Sequence, residues 1–228
     1  MRTKDKVAIG WIDGGQVDGD FAAHMFALAG ARHDRIERLI RVEGHLLSRQ
    51  RNELTATFLN VSDVDWLLML DTDHRFTPQQ FDRMCASVHD VSAPVVSGLY
   101  FGAFPSGDLY PTAVPIAFSL DDNGDYRTLR EWQPGRLIEV DAVGGGCLLV
   151  HRSVLEKVRD MVGLNEWSWF ADGPANGRWF SEDMVFCQRI RAAGFPIFVQ
   201  PDVELPHLKQ YWLTGAHFAA QTKAATTP

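Results

Sequence analysis

Several common special cases are missing from this 228-residue sequence. Its three cysteines, Cys85, Cys147 and Cys187, are far apart, odd in number and contain no CxxC pair. That removes a disulfide framework and a cysteine-held zinc site, and leaves reduced, buried thiols as the plain reading. No apolar run approaches the length of a membrane span. The opening residues MRTKDKVAIGW are too weakly apolar for a secretion signal, so a soluble, cytoplasmic protein is the expectation. Basic residues are in deficit, 22 Lys and Arg against 29 Asp and Glu, a net charge of −7. With no basic stripe, nucleic acid is not an expected partner. No internal repeat is evident.

What the chain does have is ordinary globular composition, 46% hydrophobic and 22% charged. Its length suits one larger domain. Apolar runs predict strands over residues 7–11, 38–42, 66–70 and 95–101. Helical spacing predicts helices between them. One runs over 21–30, capped by Asp18 or Asp20; one over 47–59; and one follows the cap pair Thr77-Pro78, with Phe81, Met84, Cys85 and Val88 in register. Strict alternation of strand and helix argues for an α/β domain with a largely parallel sheet. Beyond Phe101 the chain reads as a hairpin or meander through AVPIAFSL, the turn DDNGD, YRTLREW and RLIEVDAV. GGGCLLV leads into a helix over 152–158, a Trp-rich loop into a helix over 181–193, and FPIFVQP into a last strand; the final residues QTKAATTP read as a tail.

The first chemically loaded stretch is WLLMLDTDHRF. Residues i and i+2 of an extended chain point the same way, so Asp71 and Asp73 are expected to share a face with their like charges facing each other. Like charges so placed need a cation. The end of a buried strand in an open α/β sheet is where ligands bind, and hard divalent cations take carboxylates plus substrate phosphates. A solvated turn is the competing reading, since Asp is common there and DxD is short. Glu182 and Asp183 open the last helix, where acidic residues suit the helix dipole as well as they would a general base. His207 follows the last strand and matters only if the fold returns it to Asp73. Arg51, beside Asn52, lies on an apolar helical stripe and needs a carboxylate or a phosphate in reach. Gly144-Gly145-Gly146 leaves room for a substrate or another backbone to approach. It has neither dinucleotide-fingerprint nor P-loop spacing. Trp167, Trp169, Phe170, Trp179 and Phe180 form either a sugar-stacking surface or a small hydrophobic cluster.

In their order, RQRNELTATFL, DWLLMLDTDHRF, VVSGLYF, VDAVGGGCLLVHRSVLEKV and SEDMVFCQRIRAAGFPIFVQPDVELPH resemble the GT-A-fold glycosyltransferases, closest to small, soluble family-2-like members. The resemblance implies a mixed, mostly parallel sheet flanked by helices, with a small antiparallel sheet on the acceptor side. It implies one domain over about 1–212, with a nucleotide-binding half to about 101, an acceptor half from 102, and a tail over 213–228. Asp71, Asp73 and His207 would form the metal set: Asp73 would hold Mn²⁺ or Mg²⁺ on the donor diphosphate, Asp71 would also reach the ribose or a metal-bound water, and His207 would be a further ligand. Thr72 lies within that motif. Asp183, with Glu182 beside it, matches the acidic pair that supplies the base in inverting members. Ile9, Trp11 and Asp13 lie where the family holds the nucleotide base; Arg51 and Asn52 face the nucleotide or the DTD turn, and Gly145 the donor. The implied donor is a nucleotide-sugar, UDP-sugar ahead of GDP-sugar; the acceptor is a glycan, a protein or a small molecule, and a homo-oligomer is possible. The chain departs from membrane polysaccharide synthases in lacking QxxRW, reading CQRIRAAG instead, so processive extrusion is not expected. Two other readings compete. A nucleotidyltransferase would need a basic phosphate loop where this chain has the acidic WIDGGQVDGD. A non-catalytic carbohydrate-binding protein would not need DTD, SED and His207 together.

Overall fold

The computed structural model describes residues 6–88, 92–104, 111–165, 167–175, 177–211 and 215–217. The first half alternates as expected: β1 Val7–Asp13, α1 Gly19–Arg32, β2 Ile36–Glu43, α2 Leu47–Val61, β3 Trp66–Asp71, α3 Pro78–Ser87 and β4 Val95–Leu99. Short strands follow: β5 Phe101–Phe104, β6 Thr112–Pro115, β7 Ala117–Leu120, β8 Tyr126–Thr128, β9 Ile138–Val140 and β10 Ala142–Val143. The chain then returns through β11 Cys147–His151, α4 Arg152–Val162, β12 Gly173–Ala175, β13 Arg178–Phe180, α5 Glu182–Ala192 and β14 Ile197–Glu204.

Seven strands form the central sheet in the order β2-β1-β3-β11-β4-β14-β9. β2, β1, β3, β4 and β14 run one way, while β11 and β9 run against them. Strand alternation loads both faces of this sheet. On β3, Leu67 and Met69 point to the side of α2, α4 and α5, where they join Leu54, Phe58, Leu155 and Phe186. Trp66, Leu68 and Leu70 point to the side of α1 and α3, among Phe21, Leu28, Phe81 and Met84. All five of those β3 residues are buried. At roughly 1.5–3 kcal/mol for each large apolar side chain, such two-sided burial makes β3 a rigid base for whatever its end carries.

Three expectations change. The run over 95–101 is two strands, because β4 stops at Leu99 and Phe101 starts a ribbon with β6. RLIEVDAV likewise splits, with β9 on the central sheet and β10 on the β10-β7-β8 sheet. The Trp-rich loop contains a hairpin, β12–β13. Within that loop Trp169 and Phe170 are buried, whereas Trp179 is exposed. The tail QTKAATTP lies outside the described residues. No helix among the described residues is long and apolar enough to cross a membrane.

Candidate functional site

β1, β3 and β4 end at one edge of the sheet, and the antiparallel β11 begins there. Asp71 closes β3 with its amide donating to Gly146 O at 2.8 Å. The chain then turns, His74 N reaching Asp71 O at 3.3 Å. This turn is why Asp71 and Asp73 do not share a partner as an extended chain would have it. The two carboxylates go to different neighbours.

Asp71, its side chain 31% exposed, is tied to an ion cluster whose other members, Arg51 and Glu182, are buried. Arg51, on the inner face of α2, donates through Nη2 to both Asp71 oxygens at 2.9 and 3.1 Å and through Nη1 to Gly145 O at 2.8 Å. Glu182 Oε1 approaches Arg51 Nε at 3.3 Å, yet Nε makes no hydrogen bond, so the contact is ionic and off-axis. Arg51 is 3% exposed. Burial opposes its charge, but Asp71, Glu182 and Asp183 together raise its pKa. Burial also raises Glu182, with Asp183 adding to the effect and Arg51 opposing it. Asp183 sits in the first turn of α5, where its Oδ1 accepts from Ser181 Oγ and from Met184 N at 2.8 Å.

Asp73 belongs to an open cluster. The segment after β14 is pinned beside it by Leu208 N to Asp73 O at 2.8 Å, Arg75 N to Pro206 O at 3.3 Å and a bridge between His74 and His207. His207 Nδ1 donates to Phe101 O at 2.7 Å, and its Nε2 meets Asp73 Oδ2 at 2.9 Å. Lys209 Nζ reaches the same oxygen at 3.1 Å. Burial pushes Asp73 up, but His207 and Lys209 outweigh it and hold the carboxyl far below the usual range.

His74, to which no role was given in the sequence, completes this cluster. Its Nδ1 donates to Pro206 O at 3.3 Å. That leaves Nε2 with a lone pair, buried, without a hydrogen-bond partner, 4.0 Å from Asp73 Oδ1. Burial, aided by His207, lowers its pKa and keeps that lone pair available. One ligand atom each of Asp73, His74 and His207 lies within 4.8 Å of the others. Around an octahedral ion with bonds of about 2.1 Å, ligands are roughly 3 to 4.2 Å apart. The three side chains therefore fit a divalent cation once the widest separation closes by roughly half an ångström or more. Two imidazoles and a carboxylate suit Mn²⁺ better than Mg²⁺. The cluster opens on a cleft of about 230 Å³ that Asp18, Asp20 and Arg75 also line; Asp71, Glu182 and Asp183 do not.

The glycine triplet leaves room for side chains. A Cβ on Gly144 would meet the Tyr100 hydroxyl, one on Gly145 would lie 2.6 Å from Arg51 Nη1, and one on Gly146 would lie 2.6 Å from His74 Nε2. Asn52 is saturated: its amide donates to Ser48 O and Phe170 O at 2.7 and 2.6 Å, and its carbonyl accepts from the Trp169 and Phe170 amides at 3.0 and 3.1 Å. It staples the Trp-rich loop to α2. Asp13, its side chain 1% exposed, is held by two hydrogen bonds from Arg41, at 2.6 and 2.7 Å, and by Gly15 N at 2.8 Å; Arg41 holds its carboxyl down. Ile9 is wholly in the core. Trp11 stacks edge-on against Phe21 at 5.9 Å, facing a groove of about 470 Å³ between α1 and β2. Thr72 is half-buried in the turn.

No protein-family model and no curated protein matches the sequence. Solved structures do match the fold. The A197 protein of STIV aligns at TM-score 0.54 and 16% identity over 90% of this chain and 86% of its own. GalNAc-T7, described with UDP, GalNAc and Mn²⁺, aligns at TM-score 0.57 and 10% identity over 90% of this chain, which spans only 44% of that protein. A glycosyltransferase involved in glycosylating the major capsid of PBCV-1 aligns at TM-score 0.37 and 15% identity, over 69% of this chain and 64% of its own; only the first two bear on the fold. The mixed seven-stranded sheet and its flanking helices give this chain a GT-A-like fold.

Proposed function

We propose that the chain is a metal-dependent glycosyltransferase. It moves a sugar from a nucleotide-sugar, UDP-sugar ahead of GDP-sugar, to an acceptor hydroxyl on a glycan, a protein or a small molecule, with inversion and without processivity. The observation that carries this reading is the convergence of Asp73, the orphaned His74 Nε2 and His207 into one site of ion size at the end of β3. Asp73 and His207 are 134 residues apart in sequence, and a solvated turn would not need either histidine. The same fold in GalNAc-T7 is described with UDP and Mn²⁺.

Asp73, His74 and His207 would hold the cation, Mn²⁺ ahead of Mg²⁺, which when bound supplies Lewis acidity to the leaving diphosphate. Arg51 fixes Asp71 toward the donor and keeps Glu182 in place behind it. Asp183, at the start of α5 and close enough to Arg51 and Tyr100 to act on both electrostatically, takes the proton of the acceptor hydroxyl, worth on the order of 10²–10⁴ in rate. Residues to about 101 serve the nucleotide and those from 102 the acceptor. The test is release of UDP from UDP-sugars, with Mn²⁺ and with chelator. The expected result is Mn²⁺-dependent release, with the Asp183→Asn variant losing transfer while still binding UDP. Full turnover by that variant would remove Asp183 from the mechanism, and pyrophosphate release from a nucleoside triphosphate would replace transfer by nucleotidyl transfer.

A further inference from the structure

We propose that Lys209 is a diphosphate-binding residue that rests on Asp73 until a divalent cation displaces it; this deepens the reading of the site just given and rests on it. Asp73 Oδ2 accepts from Lys209 Nζ at 3.1 Å and faces His207 Nε2 at 2.9 Å. That oxygen is one a metal ion would bond to, so the ammonium occupies charge space the ion needs. A divalent cation and an ammonium cannot share a half-exposed carboxylate without strong like-charge repulsion, and of the two the ammonium is the one free to leave. Its side chain is 40% exposed on a flexible four-carbon stem. Its backbone is not free to leave. The hydrogen bonds of Leu208 N to Asp73 O and of His207 Nδ1 to Phe101 O hold the two residues just before Lys209. Displacement of the ammonium therefore leaves it tethered close to Asp73 and His207.

The charges near the site give that ammonium a destination. Arg51 is buried and committed to Asp71 and Gly145 O. Arg75 is paired with Asp20. Among these three cations, Lys209 is the one whose partner, Asp73, is itself a proposed metal ligand. A nucleoside diphosphate carries more negative charge than one divalent ion neutralises, and an ammonium binds phosphate well as a point charge. The same residue thus balances Asp73 when the site is empty of metal and balances the diphosphate when it is full.

The consequence is a pair of effects of opposite sign, which a merely structural lysine would not give. Calorimetric titrations with Mn²⁺ alone, and with UDP at saturating Mn²⁺, are made on the wild type, Lys209→Met and Lys209→Arg. Lys209→Met is expected to bind Mn²⁺ as tightly as the wild type or tighter, and UDP in the presence of Mn²⁺ about tenfold to a hundredfold more weakly, the range for losing one charged hydrogen bond. Lys209→Arg is expected to recover most of the UDP affinity. Unchanged UDP affinity in Lys209→Met overturns the proposal. So does a parallel fall in both affinities with a lowered unfolding midpoint, which would make Lys209 part of the scaffold. A wild type that binds Mn²⁺ but not UDP overturns the diphosphate role, whereas one that binds neither overturns the metal-site reading itself and the lysine's role with it.

Discussion

Asp71 and Asp73 are two residues apart, similarly exposed, and paired with different cations. Asp71 is held by a buried arginine that also holds the Gly145 carbonyl and meets Glu182. Asp73 faces outward to two histidines and a lysine, with one imidazole nitrogen left unpaired. The Arg51 cluster has its cation built in, as a side chain of α2. The open cluster has ligand atoms in excess and only an exposed ammonium as its cation. A permanently buried charge must be paired to exist at all. A site that exchanges its cation leaves a ligand atom unsatisfied between visits, as His74 Nε2 is here.

This contrast can be broken, first and most severely, at the Arg51 cluster. Arg51→Met leaves Asp71 and Glu182 without their shared cation and the Gly145 carbonyl without a donor. Urea unfolding should show a loss of about 3–5 kcal/mol, the range for removing one partner of a buried ion pair. A loss below about 1 kcal/mol would mean the pair behaves as a solvent-exposed one.

A smaller effect sharpens the same point through pH. Burial raises the Glu182 pKa above its unfolded value near 4.5. The folded chain then keeps that proton where the unfolded chain has released it, so this residue favours folding more as pH falls from neutral toward 4.5, and no further below that. Relative to the wild type, Glu182→Gln should therefore lose ground between pH 7 and pH 5 in unfolding free energy. A difference that does not change with pH, or a variant that gains ground on the wild type toward acid, would show that Arg51 outweighs burial.

Much of this arrangement was legible in the sequence, and the illegible part has definite causes. The alternation through residue 101 is read from apolar runs and helical spacing because each element there is long enough to show its period. β11 is different: CLLV is buried on both faces, so its sequence does not distinguish an antiparallel strand between β3 and β4 from a parallel one. Arg51 was conspicuous because a guanidinium on an apolar stripe demands a partner, and the DTD turn was a named candidate. The glycine triplet was visible as a gap, but what fills it, Tyr100, Arg51 and His74, comes from three other segments. His74 stood in plain view beside the motif. What gives it meaning is its burial and the approach of Pro206 and His207 from 132 and 133 residues away, and no local pattern encodes that. Lys209 was silent for the same reason.

The smallest effect on stability belongs to Asp73, and there the contrast is most exposed to test. Its carboxylate is 39% exposed, so its ion pairs are worth about 1 kcal/mol or less. The deciding measurement is calorimetric titration of Mn²⁺ into the wild type and Asp73→Asn, with urea unfolding of both. One Mn²⁺ bound by the wild type and none by the variant, with unfolding free energies within about 1 kcal/mol, is the predicted result. Equal Mn²⁺ binding by the two proteins, or none by either, would contradict the assignment of Asp73, His74 and His207 as the metal site.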